Sequence, residues 1–376
     1  MKPAKEARIA LVCSGGGARA AYEVGVLKAL REMLPQPARS PFSIYCGVSG
    51  GAINAAGLAL AADDFTHGVD TLESLWSGLR MADVLRADPW SVAVSGARWV
   101  LGLEPRALFD NSPLRQLLAR HLDFLRLEKL VSSQALHALS ITCSGYNSGQ
   151  SVSFFQGRAD IEPWRGTQRA TAHVALGVEH VVASLAMPFL FPAEKLHREF
   201  FGDGAMRDLA PLSPAVHLGA KRILVIGTGR MGADEPVRTS TSRYPSPAEI
   251  VGHLLSAVYA DCLAADVEHM NQINRIVACM PEEVRCYESL PWRPIDLMVI
   301  EPSERLDLLA SSLIGELPWA IRLVLRRMGV RGDAGSAFLC YLMFEAAYTR
   351  KLIELGYRDA MARRSALQAF LGLDRV

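Results

Sequence analysis

The sequence has 376 residues, of which 50% are hydrophobic, 21% charged and 7% aromatic, and its 40 Lys and Arg nearly balance 39 Asp and Glu. This composition is typical of a folded globular protein. A net charge of +1 argues against a nucleic-acid partner, because phosphate binding requires a surplus of Lys and Arg on one surface.

The cysteines and the apolar runs predict a cytoplasmic protein without a transmembrane segment. The seven cysteines form no CxxC pair, so we expect reduced thiols. The apolar run 9–13 is shorter than the roughly 7 to 15 residues that a signal peptide needs. The uncharged stretch 41–62 contains four glycines and several polar residues, which favours a buried strand and helix over a membrane span.

Two strand-turn-helix units occupy the first sixty residues. Residues 8–13 are an apolar run that ends in three glycines, and apolar positions at three-to-four spacing predict a helix over 18–34. A second apolar run at 42–46 leads through a glycine-rich turn into the alanine-rich segment 52–62. This repetition is typical of an α/β fold with a mostly parallel sheet covered by helices.

The middle of the chain predicts added helices and a hairpin. The segment of about 63–137 is irregularly helical, and we interpret it as an insert. Alternating residues on both sides of the turn 146–149 predict a hairpin. We further predict a helix over 170–185 and buried strands that end at Asp203 and at Gly227.

The last third predicts mainly helices. The Thr-, Ser- and Arg-rich segment 231–245 indicates a loop or linker, and Ser246-Pro-Ala-Glu249 forms a capping box at the start of a helix of some 25 residues. We expect a catalytic core at 1–230, the linker at 231–245, and a helical part at 246–376 that packs on the core and holds one strand near 295–300.

The clearest chemical signal is a GxSxG turn, Gly47-Val-Ser-Gly-Gly51. In such a turn the serine lies between a strand and a helix, so that its hydroxyl projects from the sheet edge as a nucleophile. The alternative is a glycine-rich turn with an incidental serine.

A second strand-to-helix turn carries Gly15, Gly16 and Gly17. Consecutive glycines let backbone N–H groups approach an oxygen on which charge develops, and two such turns on neighbouring parallel strands meet at one sheet edge. A nucleotide site is the alternative, but no acidic residue lies between Glu32 and Asp63 to bind a ribose, and no GK[ST] follows.

Asp203 is the candidate base for the serine. It lies between Gly202 and Gly204 at the end of a short apolar segment, where a carboxylate can face a site without crowding. An Asp-Gly turn without a catalytic role is the alternative for this dipeptide alone.

These motifs together resemble those of the patatin-like phospholipases. The resemblance rests on Gly15-Gly-Gly-Ala-Arg19, Gly47-Val-Ser-Gly-Gly51, Ala183-Ser-Leu-Ala-Met-Pro188 and Asp203-Gly-Ala205, in that order. It implies a three-layer α/β/α fold and a Ser49–Asp203 dyad that hydrolyses fatty-acyl esters of phospholipids or related glycerolipids. It also implies that the glycine loop is an oxyanion hole and that no cofactor or metal takes part.

The resemblance assigns supporting positions as well, and one position departs from it. Arg19 is expected to anchor the glycine loop or to help bind an anionic head group. The other supporting positions are Gly47, Gly50, Gly51 and Gly204. Ala20 replaces the glycine that usually follows the basic residue of the first motif, so a catalytically silent regulator that binds lipid or protein remains the second hypothesis.

Histidines offer a rival catalytic arrangement. A triad of Ser49 and Asp203 with His217, His253 or His269 would follow the order of α/β-hydrolases. The early position of the serine argues against it, because few strands can precede residue 49. His173 and His180 could share one face of the predicted helix, but they lack a third ligand, so we assign no metal site.

The segment 318–328 has the composition of a basic amphipathic helix. It combines Trp319 and Leu323 with three arginines, and residues 320–376 contain ten Lys and Arg against five Asp and Glu. Such a helix can lie peripherally on anionic lipid. The alternative is a surface helix that packs on the core and exposes its arginines to water.

Overall fold

The structure is a computed structural model that describes residues 8–35, 39–86, 107–230, 243–281 and 293–373. Within these residues ten strands form one mixed sheet. The strands are β1 Ile9–Cys13, β2 Ile44–Val48, β3 Ala138–Gly145, β4 Ser151–Gly157, β5 Arg165–Gly166, β6 Arg169–His173, β7 Glu194–Leu196, β8 Glu199–Asp203, β9 Arg222–Ile226 and β10 Asp296–Ile300.

The sheet is mostly parallel at its centre. Its order is β10-β9-β1-β2-β3-β4-β6-β5, and β8 pairs with both β3 and β7. The pairs among β10, β9, β1, β2 and β3 are parallel, whereas β3 pairs antiparallel with β4 and with β8.

Helices connect and cover these strands. In the first half they are Ala21–Met33, Gly50–Ala59, Phe65–Gly78, Met81–Val84, Ser112–His121 and Arg126–Ser132. In the second half they are Val178–Ser184, Ser213–His217, Pro247–Ser256, Cys262–Cys279, Leu306–Ser312, Trp319–Arg327, Ser336–Leu342, Ala346–Ala362 and Arg364–Leu371. A π-helical turn, Ala257–Asp261, joins Pro247–Ser256 to Cys262–Cys279.

The two faces of the sheet bury separate apolar clusters, which gives the three-layer α/β/α arrangement. Leu11 and Cys13 of β1 belong to the larger cluster, with the helices Ala21–Met33 and Ala346–Ala362. Val12 points to the opposite face and belongs to the smaller cluster. Because strand side chains alternate between faces, a strand that is buried throughout, as β1 is, supplies both layers.

The C-terminal helices pack closely on the first helix. A Cβ atom at Gly25 would lie 2.0 Å from the carbonyl oxygen of Ile353, and one at Gly356 would lie 2.1 Å from that of Tyr22. Glycine at both positions therefore lets the two helix backbones approach each other. The division of the chain into a core at 1–230, a linker and a helical part stays a prediction.

The sheet register explains why two distant segments meet. β3 pairs with β2 as far as Thr142, which lies opposite Val48, and then pairs with β8 at Cys143, which lies opposite Asp203. Since β4 occupies the other side of β3, the ends of β2 and β8 meet on one side of it. The residue after β2, Ser49, thus lies next to Asp203.

The structure agrees with some predicted elements and corrects one. The hairpin around 146–149 is formed by β3 and β4, and the capping box at Ser246 and Glu249 is present. The helix predicted over 170–185 is wrong, because β6 pairs there with β4 and only Val178–Ser184 is helical. Pairing with a neighbouring strand overrides the local helical pattern. Most of the predicted linker, 231–242, lies outside the described residues.

One helix of the described residues, Pro247–Cys279, is long and apolar enough to cross a membrane by length and composition, and 22% of its most apolar window is buried. A core helix of a soluble protein passes the same test, so this is weak evidence. In the structure the helix contacts the α/β core, because the Leu212 N–H donates a hydrogen bond to Asp266 Oδ2 at 2.8 Å.

Candidate active site

Ser49 lies in a sharp turn between β2 and the helix Gly50–Ala59. Its backbone has φ 52° and ψ −131°, a conformation that is unfavourable for a residue with a side chain. The Ser49 N–H donates to Ser184 Oγ at 2.8 Å, and Ser184 Oγ donates in turn to the Thr142 carbonyl at 2.7 Å. Ser184, from the motif at 183–188, therefore holds the strained turn against β3.

Asp203 accepts a hydrogen bond from the hydroxyl of Ser49. Ser49 Oγ donates to Asp203 Oδ2 at 2.7 Å, and the Ala205 N–H donates to Oδ1 at 3.0 Å. Ser49 is 1% exposed and Asp203 is not exposed at all. Burial raises the pKa of Asp203 to about 6, although the hydrogen bonds from Tyr259, Ser49 and Ala205 act to lower it. A carboxyl with this pKa is a stronger base than an aspartate in water.

Tyr259 is a third member of this cluster, and no sequence motif indicated it. Its hydroxyl donates to Asp203 Oδ2 at 2.6 Å and lies 3.1 Å from Ser49 Oγ. The residue lies on the π-helical turn Ala257–Asp261 and is 3% exposed. A π-turn shifts side chains from the faces that an α-helical spacing predicts, so the apolar pattern of the helix did not identify this position.

The glycine loop lies beside the serine turn. Gly15 has φ +72°, and a Cβ atom there would lie 2.1 Å from the Val48 carbonyl oxygen. The Gly15 N–H donates to Glu23 Oε1 at 2.8 Å, so it does not point freely toward Ser49. The expectation that Gly15, Gly16 and Gly17 together form an oxyanion hole stays a prediction.

The other loop glycines and Gly50 remain candidate donors. Gly17 begins the 3₁₀ turn Gly17–Ala20 and Gly50 begins the helix Gly50–Ala59, where the first N–H groups have no partner within the helix. A Cβ atom at Gly50 would lie 3.4 Å from the Gly17 nitrogen, so the two turns face each other. Gly16, with φ +112°, precedes the 3₁₀ turn.

Glu23 supports the glycine loop from within the core, and the sequence did not mark it. Its Oε1 accepts the Gly15 N–H and its Oε2 accepts Asn54 Nδ2 at 2.7 Å, while Trp76 Nε1 donates to Asn54 Oδ1 at 2.8 Å. Burial raises the pKa of Glu23 to about 7, opposed first by the bond from Asn54 and then by that from Gly15.

Arg19 contacts the C-terminal helices rather than Ser49. Its Nη1 donates to Tyr341 Oη at 2.6 Å, and its Nη2 donates to the Thr228 carbonyl. The guanidinium also lies 4.7 Å from the Tyr341 ring centre. Ala20, which follows it, has φ −61° and ψ −14°, a conformation that does not require glycine. Its departure from the family motif therefore causes no backbone strain.

The other supporting glycines allow close backbone contacts. A Cβ atom at Gly47 would lie 2.6 Å from the Gly51 carbonyl oxygen, and one at Gly51 would lie 2.3 Å from that of Cys13. A Cβ atom at Gly204 would lie 2.0 Å from the Thr142 carbonyl oxygen. A side chain at any of these positions would displace one of the segments that carry Ser49 and Asp203.

The three histidines of the rival triad lie elsewhere. His217, His253 and His269 are exposed, and none of them is a hydrogen-bond partner of Ser49 or Asp203. His217 Nδ1 instead lies 2.9 Å from the Ser213 carbonyl oxygen. His173 is on β6 rather than on the helix that carries His180, so the shared helical face does not exist. Among the described residues no group of three His, Cys, Asp or Glu side chains is arranged for a metal ion.

An apolar cavity of about 20 Å³ adjoins Ser49. Gly17 and Ser49 belong to its wall, and the rest of the wall is formed by Ile53, Leu75, Trp76, Leu79, Val84, Leu114, Leu117, Leu118, Leu185, Met187, Phe191, Tyr341, Leu342 and Phe344. Sites for small ligands usually have several hundred Å³. At about 20 Å³ this cavity is smaller than such sites.

Comparison with known proteins identifies the family. Residues 11–216 match the family model described as patatin-like phospholipase. This is more than half of the chain, so the chain belongs to the patatin-like phospholipase family.

The similar proteins are distant in sequence. A cGAMP-activated phospholipase of Pseudomonas aeruginosa (strain BWHPSA011 / Pa011) is 26% identical over 242 residues, which cover 59% of this chain and 63% of that protein. The crystal structure of VipD from Legionella pneumophila covers 96% of this chain and 67% of its own, with 13% identity and a TM-score of 0.42. Human GIVD cytosolic phospholipase A2, in complex with methyl gamma-linolenyl fluorophosphonate, covers 98% of this chain and 59% of its own, with 13% identity and a TM-score of 0.41.

Proposed function

We propose that the protein is a serine acyl hydrolase that cleaves fatty-acyl esters of glycerolipids through Ser49 and Asp203. The observation that carries the proposal is the 2.7 Å hydrogen bond between Ser49 Oγ and Asp203 Oδ2 in a buried site beside a glycine loop. Among the described residues no histidine is hydrogen-bonded to Ser49, which favours the dyad over the triad.

The reaction follows from these positions. Ser49 Oγ attacks the ester carbonyl and its proton passes to Asp203 Oδ2, while backbone N–H groups such as those of Gly17 and Gly50 stabilise the oxyanion. Collapse of the tetrahedral intermediate breaks the ester bond, and the leaving alcohol takes the proton from Asp203. A water molecule then attacks the acyl-serine with Asp203 as base, and a fatty acid is released.

The cavity beside Ser49 supports an acyl-chain substrate. Its wall is almost entirely aliphatic or aromatic, which suits a hydrocarbon chain and disfavours a charged group. We propose that the acyl chain of the substrate occupies this cavity, which side-chain movement enlarges during the reaction. The glycerol part of the substrate then lies toward Asp203.

Labelling with a fluorophosphonate tests the nucleophile. The wild-type protein and Ser49→Ala are incubated with the probe, and Ser140→Ala serves as a matched control, because Ser140 is also a buried serine but lies on β3. We expect labelling of the wild type and of Ser140→Ala and none of Ser49→Ala. Fatty-acid release from phospholipid and lysophospholipid vesicles should follow the same order. A folded wild-type protein that neither labels nor hydrolyses would favour the silent regulator.

We also propose a peripheral contact with anionic membranes through the helix Trp319–Arg327. Ala320, Ile321 and Leu325 pack on the core, whereas Trp319 is 61% exposed and Leu323 is 49% exposed. The helix therefore presents apolar side chains to solvent on the same side as its basic ones. The basic residues are Arg322, Arg326 and Arg327.

Vesicle sedimentation tests this contact. The full chain should bind vesicles that contain phosphatidylserine more tightly than neutral vesicles, and the difference should shrink as salt is raised. Replacing Arg326 and Arg327 by Gln should weaken binding by about 30-fold, since each of the two basic residues contributes about 1 kcal/mol near an anionic surface. Replacing Arg363 and Arg364 by Gln is the control. Equal binding by both double variants would exclude this helix as the contact.

A further inference from the structure

The hydroxyl of Tyr259 touches both atoms between which the proposed proton transfer takes place. It donates to Asp203 Oδ2 at 2.6 Å and lies 3.1 Å from Ser49 Oγ, which itself lies 2.7 Å from the same carboxyl oxygen. Three oxygens thus form a closed triangle of hydrogen-bond distances. A tyrosine that only filled space in this core would not need its hydroxyl at this point.

The chain holds Tyr259 in place from two sides. The π-helical turn Ala257–Asp261 interrupts a helix that is α-helical before and after it, and such turns occur frequently at functional sites. The ring of Tyr341 packs against that of Tyr259 with centres 5.1 Å apart, and Tyr341 is itself bonded to Arg19. The side chain is therefore fixed by backbone and by ring packing together.

We propose that Tyr259 is a third catalytic residue of the centre, whose hydroxyl orients Asp203 toward Ser49 and keeps the carboxyl in its charged form until the serine attacks. The inference rests on the proposed function and extends it from a dyad to a Ser49–Asp203–Tyr259 centre.

The role of Tyr259 requires no net transfer of its own proton. The serine proton moves to Asp203 Oδ2 as the bond from Ser49 Oγ to the acyl carbon forms, and it leaves with the alcohol as the ester bond breaks. Burial and the neighbouring carboxylate raise the pKa of Tyr259 well above its usual value, so the phenol stays protonated and acts as a donor throughout.

Two carboxyl groups near the centre have pKa values near neutral pH, Asp203 at about 6 and Glu23 at about 7, and Asp203 is the one that accepts a hydrogen bond from the Tyr259 hydroxyl. The titratable groups that face Asp203 are Cys143 on β3, Tyr146 after β3, and Tyr259, and burial raises the pKa of all three. They are therefore neutral where Asp203 loses its proton. The hydrogen bond from Tyr259 favours the charged carboxylate, so its loss should raise the pKa of Asp203.

Tyr259→Phe in the full chain tests the proposal, with a soluble short-chain ester as substrate so that membrane binding does not limit the rate. We expect kcat/KM to fall at least about 10-fold at pH 8, and the acid limb of its pH profile to move up by about 1 pH unit, since a hydrogen bond to a charged group contributes about 1.5 to 3 kcal/mol.

Tyr348→Phe is the matched control. Tyr348 is also fully buried and donates one hydrogen bond, to the Leu306 carbonyl at 3.0 Å, so the variant loses the same chemical group away from Ser49. Its pH profile should match that of the wild type. Equal losses of kcat/KM in both variants, without a change in the acid limb, would overturn the proposal. A Tyr259→Phe variant that is as active as the wild type or more active would also overturn it, because the hydroxyl would then not assist the reaction.

Two further measurements keep the outcomes separable. If Tyr259→Phe does not fold, 3-fluorotyrosine at position 259 keeps the shape and the hydroxyl. Its more acidic phenol should move the acid limb to lower pH, and an unchanged profile would overturn the proposal. Ser49→Ala reports on the proposed function itself: continued fluorophosphonate labelling of that variant would overturn both the dyad and the role of Tyr259. Loss of labelling supports the dyad and leaves the Tyr259 variants to decide this inference.

Discussion

Two buried carboxyl groups lie on either side of the serine turn, and they have different partners. Asp203 accepts two hydroxyl groups and one backbone N–H, whereas Glu23 accepts the Gly15 N–H and the Asn54 amide. Burial raises the pKa of both, to about 6 and about 7. Hydroxyl groups can exchange a proton with a carboxylate, and amides cannot do so near neutral pH. The same burial therefore suits the base that we propose at Asp203 and a structural acceptor at Glu23.

The largest expected effect separates these two carboxyl groups by removing their charge. Asp203→Asn should lower kcat by about 10³-fold or more, because the serine loses its proton acceptor. Glu23→Gln keeps an oxygen that can accept the Gly15 N–H, so we expect a loss within about 10-fold. Steady-state rates on a soluble ester measure both. Similar losses in the two variants would contradict the distinction between base and support.

The second-largest effect is expected when the hydrogen-bond acceptor at position 23 is removed altogether. Glu23→Leu leaves the Gly15 N–H and the Asn54 amide without their acceptor in the core, and unpaired buried groups cost about 1 to 3 kcal/mol each. We expect kcat to fall by about 10²-fold through displacement of the glycine loop, as for the loss of an oxyanion donor. Glu23→Gln keeps one acceptor oxygen for the Gly15 N–H, so a comparison of the two variants isolates that hydrogen bond, and a fully active Glu23→Leu would show that the loop does not depend on it.

The contrast between these regions also shows how far the sequence determined the site. Ser49 follows β2 and Asp203 ends β8, and both lie next to glycines, so short motifs mark the backbone geometry that places them at strand ends. Glu23 and Tyr259 reach the same centre from helices, where a polar residue among apolar ones has no local signature. Tyr259 further depends on a π-turn, which an α-helical period cannot anticipate.

The strands of the fold also differ in how far local sequence patterns predict them. The central strands were predictable because each is an apolar run that ends in glycine or a turn, as for 8–13 and 42–46. The strand β6 was not predictable, because Arg169–His173 is only partly buried and becomes a strand by pairing with β4. The pairing of β3 with both β2 and β8 brings Ser49 and Asp203 together, and no local pattern encodes that register.

A smaller effect is expected from the residue that holds the serine turn. Ser184→Ala removes the acceptor of the Ser49 N–H and the donor to the Thr142 carbonyl, so the strained turn loses its link to β3. We expect kcat to fall by about 10-fold with little change in KM, because the serine is misplaced rather than absent. Ser140→Ala is the control, since the buried Ser140 Oγ has no hydrogen-bond partner among the described residues. Equal rates for the two variants would mean that Ser184 does not position Ser49.

The smallest effect concerns stability and follows from the sign of the pKa shifts. Glu23 and Asp203 have folded-state pKa values of about 7 and about 6, above their usual values of 4.5 and 3.8. Between roughly pH 4 and pH 7 the unfolded chain loses protons that the folded chain retains, so stability falls as pH rises and becomes level above about pH 7. Glu23→Gln removes the larger part of this fall, on the order of 2 kcal/mol. Thermal unfolding should show that the wild-type Tm decreases between pH 5 and pH 7.5 by about 3 °C more than the Tm of Glu23→Gln. Parallel decreases would mean that Glu23 is already ionised at pH 5, and the bonds from Gly15 and Asn54 would then outweigh its burial.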